Sequence, residues 1–457
     1  MKRNILQFWI VTSCLLTITS MLNGQRISAG ASHSVIVCAD GSVQVFGSNS
    51  YGQIGLGEDV EEALTPTLLP GLTNVVAAAA CGDHSLFVKD DGTVWATGDN
   101  YEGQLGDSTY ERTYIPIQVP GISNAIAVAG VYQSLVLLAD STVMAFGENS
   151  GECGLGFDGN VFTATLIPNL DDVVAIAAGY YKSFALKSDG TVWVFGDNFQ
   201  NFIGLGENAD EEILVPTQIP ELNDIIAIDG GYWISTALQS NGNLWVWGRN
   251  TSGELGTGDS TNHYSPIVHP LLNNIVSMGV GLNYGFALNS TGQAQGWGQN
   301  TYSQLGTGNS ENQPIPINVL GMNNVSEVIV GHDSHCLFLN NDGTLWASGN
   351  GAVGQPSNGP FNTPVMIEGV CTVTTISEDE TVASPMIYPN PFQDNIRIIH
   401  AEDVNGYSVY NSTGQLILSQ RNYTATPSID SSLWPMGIYI LQLQSSTGMV
   451  FHKMLKQ

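Results

Sequence analysis

The sequence predicts an all-β chain: seven copies of one four-strand unit set around an axis, followed by a small β-sandwich. Three observations predict it. One phrase of roughly fifty residues recurs seven times. Each copy reads as short apolar strands broken by glycine turns. After residue 370 the phrase stops and a second set of alternating strands begins.

The marker of each copy is the glycine closing its first strand: Gly30, Gly130, Gly179, Gly231, Gly281 and Gly331, with Cys81 in the second copy. The steps are 51, 49, 49, 52, 50 and 50 residues. First strands are rich in small residues (AAAAC, AVAG, AIAAG), which suits a wedge narrowing toward an axis. Second and third strands are joined by Asp40-Gly41, Asp91-Gly92, Asp189-Gly190, Asn241-Gly242, Thr291-Gly292 and Asp342-Gly343. Such pairs predict two-residue hairpins with positive φ angles. Copy three has Asp140-Ser141 instead, which predicts a strained or differently shaped turn. Third strands put bulky residues two apart, as in Trp193/Phe195 and Trp245/Trp247, with Val194 and Val246 between them. Both faces therefore read as buried, as in sheets stacked face to face. Fourth strands such as VPTQIP follow a long loop.

Composition narrows the function. The chain has 457 residues, 41 of them acidic and 12 basic, for a net charge of −29. Phosphate backbones would be repelled, so nucleic acid is not an expected partner. Residues 1–24 hold Lys2 and Arg3 before a mostly apolar stretch and read as a secretory signal peptide. A lipobox-like Val11-Thr12-Ser13-Cys14 is the weaker reading of that segment. No other stretch is long and apolar enough to predict a membrane span. Five cysteines remain beyond the leader: Cys38, Cys81, Cys153, Cys336 and Cys371. With no C-x-x-C spacing, buried free thiols are expected, with one disulfide as the alternative.

Gly-x-x-His-Ser at Gly30 to Ser34, the repeated W-x-F-G-x-N and Gly-Gln-Leu-Gly at Gly103 to Gly106 resemble the regulator of chromosome condensation repeat family. The resemblance covers all seven copies and implies a seven-bladed β-propeller over 25–370. The nucleotide exchange associated with that family's eukaryotic namesake needs a wedge inserted in one blade, and the even repeats leave none. A secreted bacterial member that inhibits β-lactamases gives a precedent for capture of a protein.

Residues 371–384 (CTVTTISEDETVAS) read as a linker. The unit at 385–457 carries Tyr388, Pro389, Asn390, Pro391 and Phe392, then V-Y-N-S-T-G-Q, then P-x-G-x-Y-x-L around Gly437. These motifs resemble the C-terminal sorting domain of the type IX secretion system. That implies a Bacteroidota-type bacterium, passage through the periplasm, and release or surface attachment beyond the outer membrane.

No catalytic motif stands out, and no cofactor or metal is expected. The slot three residues after each marker holds His33, His84, Gln133, Lys182, Ile234, Tyr284 and Ser334. A catalytic or metal ring needs converging ligands. The isoleucine points instead to side chains bonding backbone between strands. Gly349 to Gly354 matches G-x-G-x-x-G, but Pro356 stands where a helix should begin. The acidic loops at Glu58–Glu62, Asp107–Glu111 and Glu207–Glu212 lack a calcium-loop frame and read as solvated. Contact candidates are the aromatics where first strands turn into second strands: Tyr180, Tyr181, Tyr232, Trp233 and Tyr284. Further loop aromatics are Tyr51, Tyr101, Tyr110, Tyr114, Phe199, Phe202, Tyr264 and Tyr302. The expected function is a monomeric, exported, non-catalytic module that binds a protein or glycan. The alternative is a secreted hydrolase of extracellular polysaccharide or protein.

Overall fold

The structure is a computed structural model. It describes residues 26–350, 354–356, 359–373, 386–388, 395–399, 404–411, 416–421, 428–431, 434, 437–445 and 449–456. The leader, most of the linker and Pro389 to Phe392 lie outside the described residues, as do three residues of the Gly349–Gly354 motif. The chain divides into two compact units, Met1–Thr374 and Thr375–Gln457.

The first unit is a seven-bladed propeller. Its seven four-stranded antiparallel sheets occupy 27–68, 75–118, 125–166, 173–218, 225–268, 275–318 and 325–366. Strands within each sheet lie in chain order, each paired with its sequence neighbour. Blade 5 shows the plan: Ile225–Gly230, Ile234–Gln239, Leu244–Gly248 and His263–Val268. Second strands are almost wholly buried, as in QSLVLL of blade 3. Trp247, Trp297, Tyr284, Phe46, Phe87, Phe146, Phe184, Phe195, Phe286 and Phe338 are the largest fully buried side chains. Each such ring contributes roughly 2–3 kcal/mol of apolar burial. Fourth strands are the outer edges and are part-exposed. Most carry a proline there (Pro66, Pro116, Pro216, Pro266, Pro314, Pro316, Pro364), which denies an edge-pairing donor.

The hairpins differ from the two-residue expectation. Gly41 N–H donates to Cys38 at 3.0 Å and Cys38 N–H to Ser42 at 2.9 Å, so the loop holds three residues. Only the glycine takes a positive φ, +79° at Gly41, while Asp40 Oδ1 accepts from the Ser42 amide at 2.9 Å. This is a type I turn with a glycine bulge, in which aspartate acts as an acceptor. Ser141 occupies the same corner at φ +68°, so copy three keeps the turn and carries the strain on one residue.

The marker glycines are needed for a different reason from the turn glycines. None of Gly30, Gly179, Gly231 and Gly281 has positive φ. A Cβ on Gly281 would sit 2.6 Å from the Gly331 carbonyl oxygen of the next blade, and one on Gly179 would sit 2.6 Å from that of Gly231. Backbone meets backbone where blades converge.

No strand is shared between the last blade and the first. Cys38 and Cys371 form a disulfide across 333 residues, which corrects the expectation of free thiols there. Cys81, Cys153 and Cys336 are free and buried. Gln44 donates to the Gly369 carbonyl at 3.0 Å and accepts from the Cys371 amide at 2.8 Å. His332 N–H donates to Gly30 at 3.0 Å.

The second unit contains a three-stranded sheet (Met386–Tyr388, Asn395–Ile399, Ser428–Asp430). It also contains a four-stranded sheet in the order Leu416–Arg421, Val404–Asn411, Gly437–Ser445, Met449–Lys456. Gly437 opens the third of these strands, and Val409, Ile429 and Leu441 are buried. Among the described residues no helix is long and apolar enough to cross a membrane.

Candidate functional site

Strand order sends every first-to-second turn and every third-to-fourth loop to one face of the propeller. The Asp-Gly turns and blade connections go to the other. The first face holds the contact candidates, and two layers of side chains build it.

The deeper layer is a belt between blades, made by the slot residues. His33 Nε2 lies 2.8 Å from Ser85 Oγ, and His84 Nε2 lies 2.8 Å from Ser134 Oγ. Gln133 Nε2 donates to Ser183 Oγ at 3.0 Å, and Lys182 Nζ to the Tyr232 carbonyl at 3.4 Å. Tyr284 donates to the Gly331 and His335 carbonyls at 2.7 and 2.9 Å. His335 Nε2 meets Ser34 Oγ at 3.0 Å. The seventh slot is therefore His335 rather than Ser334, because its turn is one residue longer: Gly331 N–H bonds His335, where Gly30 N–H bonds His33. Blade 5 breaks the belt with Ile234, and Trp297 covers Gly285, where blades 1 to 5 have serine and blade 7 has Cys336.

Burial governs this layer. It lowers the pKa of His33 and His84 to about 3 and of His335 to about 4, with neighbouring histidines adding to the effect, so all three are neutral at pH 7. It lowers Lys182 to about 7 against the opposing pull of Asp229. Asp229, raised to about 6 by burial, spends its oxygens on the Gly230 and Val280 amides, both at 2.9 Å. The belt is structural. Tyr284 belongs to it, fully buried with its hydroxyl spent on two carbonyls, and this corrects its expected place in a contact patch.

The upper layer surrounds the axis. Tyr180 is its centre, 7% exposed. Its ring lies 5.5 Å from Tyr132, 4.7 Å from Tyr232 and 6.3 Å from His332, which come from blades 3, 5 and 7. Tyr181 and Tyr232 share a hydroxyl hydrogen bond of 2.9 Å, and Trp233 packs 4.5 Å from Tyr232. Tyr132, Tyr181, Tyr232 and Trp233 are half-buried on the face. Phe199 and Phe202 extend the run to Trp233, and Phe202 stacks on Tyr264 at 5.7 Å. Phe202 is itself buried and Tyr114 and Tyr264 are half-buried, whereas Tyr51, Tyr101, Tyr110, Phe199 and Tyr302 are exposed.

Carboxylates rim these rings. Asp83 and Asp333 occupy the same turns in blades 2 and 7, half-buried, and their carboxylates make no hydrogen bond or ion pair among the described residues. Burial raises both, and Asp83 is raised further by Asp99 and Asp333 against the pull of Arg112. Sequence reasoning missed Asp83, Tyr132 and Asp333, although each lies two residues beyond its marker, in the stretch that holds Tyr232 and Trp233.

Glu148 and Glu152 form a second acidic feature, each raised to about 7 by burial and by neighbouring carboxylates. Glu152 fills the position of Gln53, Gln104 and Gln304, and like them it accepts a backbone amide from two residues before. It is loop scaffolding with an extra charge. Among the described residues no group of three or more His, Cys, Asp and Glu side chains is disposed to hold a metal ion.

Comparison with known proteins agrees with this geometry. The family description "RCC1-like domain" matches residues 12–332, and "Secretion system C-terminal sorting domain" matches 386–457. The regulator of chromosome condensation of Xenopus laevis is 27% identical over 285 residues, covering 53% of this chain and 62% of that protein. The ultraviolet-B receptor UVR8 of Arabidopsis thaliana is 29% identical over 256 residues, covering 53% and 57%. The chain thus spans about three fifths of the curated relatives it matches. Among solved structures, Prp20p of Saccharomyces cerevisiae superposes with a TM-score of 0.64 at 23% identity, over 73% of this chain and 87% of that one. Human WBSCR16 gives 0.61 at 23%, over 69% and 86%. These structural likenesses speak for the fold. The sorting domain marks the chain for secretion across the outer membrane or attachment at its surface. The chain belongs to the RCC1-like domain family and carries a type IX secretion C-terminal sorting domain behind its propeller.

Proposed function

We propose that the exported propeller is a non-catalytic binding module whose axial face engages a macromolecule through Tyr181, Tyr232 and Trp233. The observation that carries this is the run of half-exposed aromatic rings converging from neighbouring blades. Aromatic side chains give large contact area at low entropy cost, and a rigid scaffold removes most of the ordering cost of loops. A protein partner is in keeping with the yeast relative, whose structure was solved bound to Kap60. The signal peptide at 1–24, propeller at 25–370, linker at 371–384 and sorting unit at 385–457 make the working division. The two sheets of the last unit are read as a small β-sandwich, engaged by the secretion machinery through Tyr388 to Phe392 and Gly437.

The test is affinity capture from the cell's own surface and surroundings, comparing the chain with its Tyr181→Ala/Tyr232→Ala/Trp233→Ala variant. A protein retained by the first and lost by the second supports the reading. Equal retention, or consumption of a polymer in the extract, refutes it and favours the hydrolase. Tyr180 is left in place, because its burial makes it part of the fold as well as of the face.

A further inference from the structure

The axial mouth has an imbalance that a merely apolar patch would lack: its carboxylates are matched by no cation among the described residues. Asp83 and Asp333 are half-buried and unpaired among the described residues. The hydroxyls of Tyr132 and Tyr180, able both to donate and to accept, make no protein hydrogen bond among the described residues. The phenols of Tyr132 and Tyr180 both lie within the electrostatic reach of both aspartates. The turns that carry the two aspartates flank these rings: Gly82, beside Asp83, would hold a Cβ 3.5 Å from the Tyr132 ring, and His332, beside Asp333, lies 6.3 Å from the Tyr180 ring.

The cations of this region are already engaged or weakened. Arg112 pairs with Asp99 at 3.7 Å and lies 5.1 Å from the Tyr51 ring. Arg249 pairs with Glu254 at 3.3 Å. Lys182 lies below, in the belt, where burial leaves it half-charged near neutral pH. Burial and mutual repulsion raise the pKa of Asp83, and burial raises that of Asp333, so ionising the mouth is costly. A cation entering from outside relieves that cost. The negative faces of three tyrosine rings supply a second attraction for it.

Resting on the binding reading above, we infer that the axial mouth recognises a cationic side chain, lysine or arginine, on a protruding loop of a partner protein, with Asp83 and Asp333 as its counter-ions and Tyr132, Tyr180 and Tyr232 as its aromatic wall. The net charge of the chain, −29 overall, raises the encounter rate with a cationic loop. The mouth then fixes it, since charge-assisted hydrogen bonds from guanidinium or ammonium to carboxylate are short and about twice as strong as neutral ones.

The test titrates the purified full chain with a glycine-spaced arginine peptide and with the same peptide carrying citrulline, which keeps the shape but removes the charge and puts a carbonyl oxygen in place of one guanidinium nitrogen. Tryptophan fluorescence and calorimetry give Kd. The arginine peptide should bind at least tenfold more tightly than the citrulline peptide. Asp83→Asn/Asp333→Asn should weaken it at least tenfold. Glu58→Gln/Glu61→Gln removes the same charge from an exposed outer loop and should change Kd less than twofold.

Equal binding of the two peptides overturns the inference, as does no binding at millimolar peptide, or equal loss in both double variants, which would mean bulk charge alone. Binding of a neutral oligosaccharide that Asp83→Asn/Asp333→Asn leaves unchanged, with the arginine peptide excluded, also overturns it and points to a glycan. The outcome is separable from that of the capture experiment. A partner lost on replacing Tyr181, Tyr232 and Trp233 but indifferent to the aspartates sinks the cation site and leaves the binding module standing.

Discussion

His335 Nε2 lies 3.0 Å from Ser34 Oγ across 301 residues of sequence, and this contact joins the seventh blade to the first. It repeats the His33–Ser85 and His84–Ser134 contacts, each 2.8 Å, so the ring is closed by the bond that also links its interior blades. Replacing Ser34 by alanine leaves the imidazole buried with no partner at Nε2, its Nδ1 being unpartnered already. Such a loss costs about 1–3 kcal/mol. The Ser34→Ala chain should melt a few degrees lower by calorimetry. Its first loss of amide protection should fall in blades 1 and 7. Protection lost uniformly around the ring would contradict a closing role for this contact.

Gly231 tests the other constraint at the axis. A Cβ there would meet the Gly281 carbonyl oxygen of the next blade, while φ at Gly231 is ordinary. Gly121 is the reverse case, with φ +81° and open space around it. Gly231→Val should destabilise the propeller by about 3 kcal/mol or more. Gly121→Ala should cost only about 1 kcal/mol, from backbone strain. Thermal unfolding of the pair separates crowding from strain. An unchanged melting temperature for Gly231→Val would show that the blades do not approach as closely as they do here.

The repeat made the blades legible because each copy contains its own sheet, and all four strands lie within about fifty residues. Tyr181, Tyr232 and Trp233 were legible as half-buried residues of one face because they sit next to the marker, in the turn. Tyr284 was not, because three residues past the marker the chain has entered the second strand, and the side chain there points into the belt. Asp83 and Asp333 stand 250 residues apart, and only ring closure brings their turns to the same mouth. The pairing of Cys38 with Cys371 was hidden for the same reason. A repeat pattern gives each residue its place within a blade, but it carries no signal for which distant blades face one another.

The Cys38–Cys371 disulfide should matter in proportion to the chain it closes. Its loop of 333 residues confines nearly the whole propeller, and loop-closure entropy alone gives on the order of 5 kcal/mol. The Gln44 bonds to Gly369 and Cys371 remain when the sulfurs are gone, so the ring should stay closed but open more often. Cys38→Ser/Cys371→Ser should lower the melting temperature clearly. It should also speed proteolysis at blades 1 and 7 before blades 3 to 5. A reductant should bring the wild-type chain to the same point and leave the variant unmoved. Equal melting of variant and wild type would leave closure to the non-covalent contacts: the Gln44 clasp, the His332–Gly30 bond and the Ser34–His335 contact.

Glu152 offers a pH-dependent test of the acidic loop in blade 3. Its carboxyl is 1% exposed and raised from an ordinary 4.5 to about 7, first by burial and then by Glu148 and Asp197. A carboxyl whose folded pKa is raised holds its proton more tightly in the native state than in the unfolded chain. Its favourable contribution is therefore complete below pH 4.5 and is lost as pH rises through about 7. Above that window the fold carries an ionised, poorly solvated group. Glutamine occupies this position in blades 1, 2 and 6 and accepts the same backbone amide, from Tyr51 at 2.9 Å, Glu102 at 2.8 Å and Tyr302 at 3.0 Å. Glu152→Gln should therefore keep the loop bond and remove the charge. At pH 8 it should stabilise the propeller by on the order of 2 kcal/mol. The gain should shrink as pH falls through 7 and vanish near pH 4, where wild-type Glu152 is also neutral. Glu148→Gln, acting on the neighbouring carboxyl, should give part of the same gain, and the two should not fully add, because removing the Glu148 charge relieves part of the repulsion that raises Glu152. Denaturant melts at pH 8, 6 and 4 measure all of this. A gain that persists unchanged to pH 4 would assign it to packing rather than to charge.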